Sequence, residues 1–240
     1  MRVLILSCSL ILSAAPNDDL IISYTPSGMI IGMLNASYWI LLEALTGLDV
    51  DPKVLQKFAD YEPLLRQGDI LTIANRRCQF NVLNHGDLKI NNALFKYDQQ
   101  PLQTSPVMIV DYQTCRWNSP VLDTIFFEMV TMDFVVYQQH HEQLLHSYLT
   151  TLNRTLARLG SQQTYSAEDY TSDMAGCKLF QVYHLLWIGY LNIFETRQVN
   201  FSQQVVTLPE EDIEVIRQSP SFRNRFLKWF RRFEKLDFFK

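Results

Sequence analysis

Three oxygen-bearing side chains, Asp87, Asn92 and Asp111, set the chemistry this chain can attempt. The first two lie in His85-Gly86-Asp87-Leu88-Lys89-Ile90-Asn91-Asn92. The third closes Val107-Met108-Ile109-Val110-Asp111 and is followed by Tyr112-Gln113. Phosphoryl transfer asks little covalent chemistry of a protein. It needs a carboxylate to orient the attacking hydroxyl and oxygen ligands to hold magnesium against the phosphates. In a kinase catalytic loop the base aspartate precedes a metal-holding asparagine by five positions, and a second metal-holding aspartate ends the next hairpin strand. The spacing predicts Asp87 as base, with Asn92 and Asp111 as magnesium ligands. His85, Asn92 and Asp111 form the candidate cofactor side of the site. Lys89 is a candidate to reach the transferring phosphate, and a solvated loop lysine is its plainer reading.

An isolated HxDxxxxN means little, because His, Asp and Asn are ordinary turn residues. What gives it weight is the context that must position it. A strand-like lead-in over 80–84, the loop, a strand over 92–97, a polar connection over 98–105 and a strand over 107–112 read as a hairpin with an aspartate at its exit. A capped turn beside an unrelated hairpin is the competing reading. Around this, helices are predicted over 37–46 with Gly47 as stop, and over 51–66 with Asp51 as N-cap and Pro52 in the first turn. Further helices are predicted over 120–132 after Ser119-Pro120, 138–159 with Gly160 as stop, 167–191, 209–217 and 220–236. Two of these starts carry capping boxes, Ser166 with Asp169 and Thr207 with Glu210. The fold class is α+β, mostly helical.

Composition narrows the alternatives. With 48% hydrophobic and 19% charged residues in 240, the chain can bury a substantial core, and disorder is not indicated. A formal net charge of -4 gives no global attraction to polyanions, so no nucleic-acid partner is expected. Cys8, Cys78, Cys115 and Cys177 form no CxxC and read as free thiols. His140, His141 and His146 share a helix and read as a solvated face with no assigned role. Phe180, Tyr183, His184, Trp187 and Tyr190 recur at helical spacing, as core packing does, with His184 a satisfied interior histidine. Near the end, Phe222, Phe226, Trp229, Phe230 and Phe233 line one face among Arg223, Arg225, Lys228, Arg231, Arg232 and Lys235. Docking of that helix on its own lobe is expected, with a membrane surface or acidic partner as the alternative.

The N-terminus stays open. Arg2, the apolar run over 3–12 and Ser13-Ala14-Ala15 have the three regions of a secretory leader, and Pro16 sits awkwardly for cleavage. A buried strand or the remnant of a shortened first lobe are the other readings. The sequons at Asn35, Asn153 and Asn200 do not decide between them. The expected organisation is an apolar segment over 1–34 and one domain over 35–240. A cytoplasmic location is expected, or secretion if residues 1–15 are cleaved.

Val82-Leu83-Asn84-His85-Gly86-Asp87, Asn91-Asn92, Asp111-Tyr112-Gln113 and Ser119-Pro120-Val121-Leu122-Asp123 resemble the ecdysteroid-kinase-like proteins of insects, a CHK-type group related to choline kinases and aminoglycoside phosphotransferases. The resemblance is dense from 80 to 123 and diffuse from 37 to the C-terminus. It implies the C-terminal lobe of a protein-kinase-like fold and ATP- and magnesium-dependent phosphorylation of a hydroxyl on a small lipophilic molecule such as a steroid. By position it makes Asp87 the catalytic base, Asn92 and Asp111 the magnesium ligands, and Asp123 an internal carboxylate bracing the catalytic loop. Lys89 departs from the family, which often has an aromatic residue there, and Tyr112 is a milder change.

Only residues 112–118 separate Asp111 from Ser119, too few for the polypeptide-docking segment of a protein kinase, so a small-molecule acceptor is the better expectation. Upstream of His85 the glycines Gly28, Gly32, Gly47 and Gly68 make no GxGxxG, and Lys53 and Lys57 read as a solvated helix face. The expectation is therefore a chain lacking the N-terminal ATP lobe and weakly active or inactive alone. A non-catalytic small-molecule-binding lobe is the alternative.

Overall fold

The computed structural model describes residues 28–63, 80–96, 107–196 and 208–239. In chain order the elements are α1 (Gly28–Thr46), α2 (Pro52–Ala59), β1 (Val82–Asn84), β2 (Ala93–Phe95), β3 (Val107–Ile109) and β4 (Arg116–Asn118). Then come α3 (Val121–Phe126), α4 (Phe134–Arg158), α5 (Ala167–Gly176), α6 (Lys178–Thr196), α7 (Glu210–Gln218) and α8 (Leu227–Lys235). Helix dominates, with two small antiparallel sheets, an α+β arrangement. The described residues fall into two units, one from 80–96 and 107–177, the other from 28–63, 178–196 and 208–239. The leader-like run, the whole of the hairpin's connection over 98–105 and Thr207 lie outside the described residues. No helix among the described residues is long and apolar enough to cross a membrane.

In the first unit β1 pairs with β4, Leu83 opposite Trp117, and β2 pairs with β3, Leu94 opposite Met108. The predicted lead-in and hairpin are present with shorter strands. β4 is an addition, in a stretch read from sequence as a bare link, and three residues are too few for a period to register. α3 runs on into a π-helical turn, Phe127–Thr131. α4 begins at Phe134 rather than 138, because the Asp133 side chain accepts from Val135 N at 2.8 Å and so caps the helix earlier. It stops as expected at Gly160, whose φ is +78°. There Ser161 N donates to Leu156 O and Gly160 N to Ala157 O, a Schellman closure. The Ser166–Asp169 capping box opens α5. The single helix expected over 167–191 is in fact two. α5 ends at Gly176, a weak helix former, and Cys177 turns the chain before α6.

In the second unit α1 starts at Gly28, earlier than the expected 37, and ends at Thr46. Asp51 caps α2 through Lys53 N, with Pro52 at its first position as expected. α7 follows Pro209, and the expected box of Thr207 with Glu210 lies outside the described residues at its Thr207 end. The Pro209 carbonyl accepts from Asp212 N and Ile213 N, so the helix opens after the proline. The core is aromatic: Tyr38, Phe58, Phe230, Phe233, Phe238 and Phe239 are buried and meet in edge, tilted and stacked pairs. Each such side chain contributes about 1.5–3 kcal/mol by leaving water. Phe222, Phe226 and Trp229 are buried with them, so the apolar face of the last helix docks within this unit. The helical stripe behaves as core: Phe180, Tyr183, His184 and Tyr190 are buried, and His184 Nδ1 meets Phe180 O at 2.8 Å.

The C-terminus of α1 depends on Arg217 of α7. Its Nε donates to Ala44 O at 3.1 Å and an Nη to Glu43 O at 3.0 Å, so a buried cation satisfies two carbonyls the helix itself cannot. Glu210 and Glu214 also pair with it, but their side chains are 69% and 49% exposed and contribute little. Arg217→Met is therefore expected to destabilise the protein by about 1–3 kcal/mol through the two orphaned carbonyls. Glu210→Gln with Glu214→Gln should leave the urea midpoint almost unchanged. Equal midpoint shifts for both would show that the ion pairs, not the carbonyls, matter.

Candidate active site

The loop after β1 is held by one carboxylate. Asp123 in α3 is 3% exposed and accepts from His85 N at 2.6 Å and Gly86 N at 2.9 Å. Burial pushes its carboxyl up from the usual range, while the two amides, the Arg116 guanidinium and His85 pull the other way. Asn84, at the end of β1, closes the arrangement. Its Oδ1 accepts from Asp123 N at 3.3 Å and its Nδ2 donates to Asn118 O of β4 at 3.0 Å.

Gly86 turns the chain with φ +84°, and a Cβ there would stand 2.2 Å from Thr114 O. Thr114 Oγ1 donates to His85 O at 3.1 Å, so the segment after Asp111 is folded back on the loop. His85 was expected among the cofactor-binding residues. In the structure the residue is 3% exposed and both ring nitrogens are used within the chain. Nε2 donates to Val110 O at 2.9 Å and Nδ1 accepts from Asp87 N at 3.3 Å, which fixes the tautomer. Tyr112 packs on its ring with centroids 4.9 Å apart.

Asp87 is gripped from two sides. Lys89 Nζ lies 2.8 Å from Oδ2, and Asn92 Nδ2 donates to the same oxygen at 3.0 Å and to Asp87 O at 2.9 Å. Both amide hydrogens of Asn92 are thus spent on Asp87. The Asn92 Oδ1 therefore remains an acceptor, and none of these bonds falls on Asp87 Oδ1. Asp111 joins them through its neighbour. Val110 N donates to Asn92 O at 2.9 Å while Val110 O takes the His85 ring, so the residue before Asp111 is tied to both ends of the loop. Asp111 itself is exposed and left-handed, φ 69° and ψ 59°, a conformation uncommon for a residue with a Cβ and frequent at functional sites. Its carboxylate makes a long contact with Gln113 Nε2, 3.5 Å.

Asp87 and Asn92 thus meet on one loop, and the residue before Asp111 is bonded through its backbone to both ends of that loop. An all-oxygen set with an asparagine carbonyl and carboxylates suits a hard cation such as magnesium rather than zinc. Lys89 comes to Asp87, and Asp123 lies beneath the loop. Asn84 and Arg116 were missed as supports. An asparagine closing an apolar strand and an arginine whose burial only the tertiary structure reveals give little sequence signal. Of the helical histidines, His141 meets the buried Glu128 at 2.9 Å, while His140 and His146 are exposed.

Two glycines of positive φ separate backbone strain from close approach. Gly86 faces Thr114 O, whereas at Gly160, φ +78°, a Cβ would meet nothing within 4 Å. Gly160→Ala is expected to cost about 1 kcal/mol from its backbone conformation alone. Gly86→Ala should cost clearly more, about 2–4 kcal/mol, because a carbonyl must also be displaced. Equal losses in chemical denaturation would contradict the close packing of Thr114 on the loop.

No curated protein matches the chain. The family model of the ecdysteroid kinase-like family matches residues 27–161, more than half of the sequence, taking in α1, the whole loop and hairpin, and α4. On that match the chain belongs to the ecdysteroid kinase-like family, a group of small-molecule kinases.

Proposed function

We propose that this chain provides the hydroxyl-activating and metal-holding lobe for ATP- and magnesium-dependent phosphorylation of an alcohol on a small lipophilic molecule, a steroid being the type of acceptor the family name suggests. The observation that carries the reading is the double use of the Asn92 amide. By donating only to Asp87, it leaves its carbonyl oxygen as an acceptor on the residue whose backbone is bonded to Val110, one position before Asp111, and there a hard cation would be held. When bound there with its nucleotide, magnesium would neutralise charge on the phosphates.

The chain's own residues then have separable tasks. Asp87 accepts from the acceptor hydroxyl through Oδ1 and orients its oxygen for attack, taking its proton as the bond to the γ-phosphorus of ATP forms and the bond from that phosphorus to the β,γ-bridging oxygen breaks, with ADP as the leaving group. Asn92 and Lys89 fix the other carboxylate oxygen, so Asp87 presents one free face instead of rotating. Lys89 is also near enough to the base to share its charge with a transferring phosphate. Asp111 and Asn92 Oδ1 contribute the oxygen ligands.

The roles separate in two measurements, manganese–ATP binding by electron paramagnetic resonance and phosphate transfer from labelled ATP to a panel of steroid alcohols. Asp111→Asn should weaken manganese–ATP binding about tenfold or more by removing an anionic ligand. Asp87→Asn should leave that affinity within about twofold and lower turnover by about 10²–10⁴-fold. Undiminished turnover in Asp87→Asn would refute its role as base. Steroid binding by a chain that never binds manganese–ATP would favour a non-catalytic binding lobe.

A further inference from the structure

Asp173 lies near the end of α5, outside the loop, the hairpin and α3, and nothing in the spacing of the phosphoryl-transfer residues points to it. Its Oδ2 accepts from two hydroxyls at once, Ser119 Oγ and Tyr165 OH, the latter at 2.7 Å. An ionised carboxylate is acceptor-only, so one oxygen can join two donors that would otherwise have no reason to meet.

Each hydroxyl stands on the approach to one end of the loop brace. Ser119 opens α3: its carbonyl accepts from Leu122 N at 3.3 Å and its Oγ from Val121 N at 3.4 Å, with Asp123 one turn on. Tyr165 is 1% exposed and doubly fixed by the Asn153 side chain of α4, its N donating to Oδ1 at 2.8 Å and its O accepting from Nδ2 at 2.9 Å. Its ring stacks on Phe80 at 5.0 Å, and Phe80 leads into β1. Burial and the Asp173 carboxylate keep the Tyr165 hydroxyl protonated well beyond its ordinary range, so it serves as a donor. The two ends of the brace are therefore β1, whose continuation carries the His85 and Gly86 amides, and α3, which carries Asp123. Asp173 touches neither end and is tied to both.

We infer that Asp173 is a positioning residue for Asp87, setting through Ser119 and Tyr165 the separation between β1 and the start of α3 across which Asp123 grips the loop. Its meaning for turnover rests on the phosphoryl-transfer reading above; its effect on the loop does not. A second tie between α3 and α5, Thr124 Oγ1 to Tyr170 OH at 3.1 Å, is independent of Asp173 and keeps the helices packed when it is altered. A loss of loop order without loss of the unit is therefore the distinguishing consequence.

The test is amide hydrogen exchange on the full chain, comparing the His85 and Gly86 amides with those of Leu152 and Leu156 in the interior of α4. Asp173→Asn keeps the shape but offers only a neutral acceptor, and it should speed exchange at His85 and Gly86 about tenfold while leaving Leu152 and Leu156 at their wild-type rates. Tyr165→Phe, which keeps the stack on Phe80, and Ser119→Ala should act in the same direction by smaller factors. They carry the comparison if Asp173→Asn fails to fold. In phosphate transfer the same variants should lower kcat with KM for magnesium–ATP unchanged. Unaltered exchange at His85 and Gly86, or acceleration spread equally over Leu152 and Leu156, would overturn the inference. A wild-type chain without turnover would count against the phosphoryl-transfer reading, while the exchange ratio would still decide the role of Asp173.

Discussion

The site depends on one carboxylate accepting two consecutive backbone amides. Asp123 takes the N–H groups of His85 and Gly86, and every other loop contact presumes that they stay there. With Gly86 in a left-handed turn and Thr114 closed over it, His85 can reach Val110 while Asp87 faces Asn92. Energetically the brace is close to neutral. Hydrogen bonds to an ionised group contribute about 1.5–3 kcal/mol each, whereas burying the charge costs several kcal/mol. The upward push on its carboxyl says that burial outweighs its partners. A buried apolar side chain would contribute more to stability. What the carboxylate adds is geometry, because no apolar residue can specify where two adjacent N–H groups must lie.

Much of this was legible in the residues, because the spacing of chemistry-bearing side chains and the turn chemistry are local. The five-residue interval singled out Asp87 and Asn92, two side chains that meet in the structure, and Gly160 and the Ser166–Asp169 box anticipate helix ends that the structure places as expected. What was illegible is set by distant partners. β4 exists because Arg116 to Asn118 find β1 across the loop, and three residues carry no period. The burial of His85 and its ring's contact with the Val110 carbonyl likewise come from tertiary structure and leave no local signal. The break at Cys177 was hidden by continuous helical patterning on both sides of Gly176.

The pairing of Lys89 with Asp87 bears on the role of base proposed for Asp87. Their side chains are 39% and 20% exposed, so the ion pair adds at most about 1 kcal/mol to stability and is screened by salt. Its geometric consequence is larger. Lys89 and Asn92 share Oδ2, so the rotation that would interchange the two oxygens breaks two bonds at once. A base with one committed oxygen presents the other in a fixed direction, and fixed direction is what an attacking hydroxyl requires.

The supports are arranged so that few of them touch the chemistry. Asp87 and Asn92 are held by main-chain and amide contacts inside the loop, Asp111 by the bonds of the residue before it, and the loop by Asp123. Behind that lie Asn84, Ser119, Tyr165 and Asp173, each a polar group wholly or partly removed from water and spent on another polar group. Leaving any one of them half-satisfied costs more than the bond it makes, since the partner remains desolvated. Such a network tolerates little partial substitution and so fixes one loop geometry, whereas an apolar core of the same size would accept several. The aromatic core of the other unit is held without such directional bonds, with Phe meeting Phe in edge, tilted and stacked pairs of varied angle.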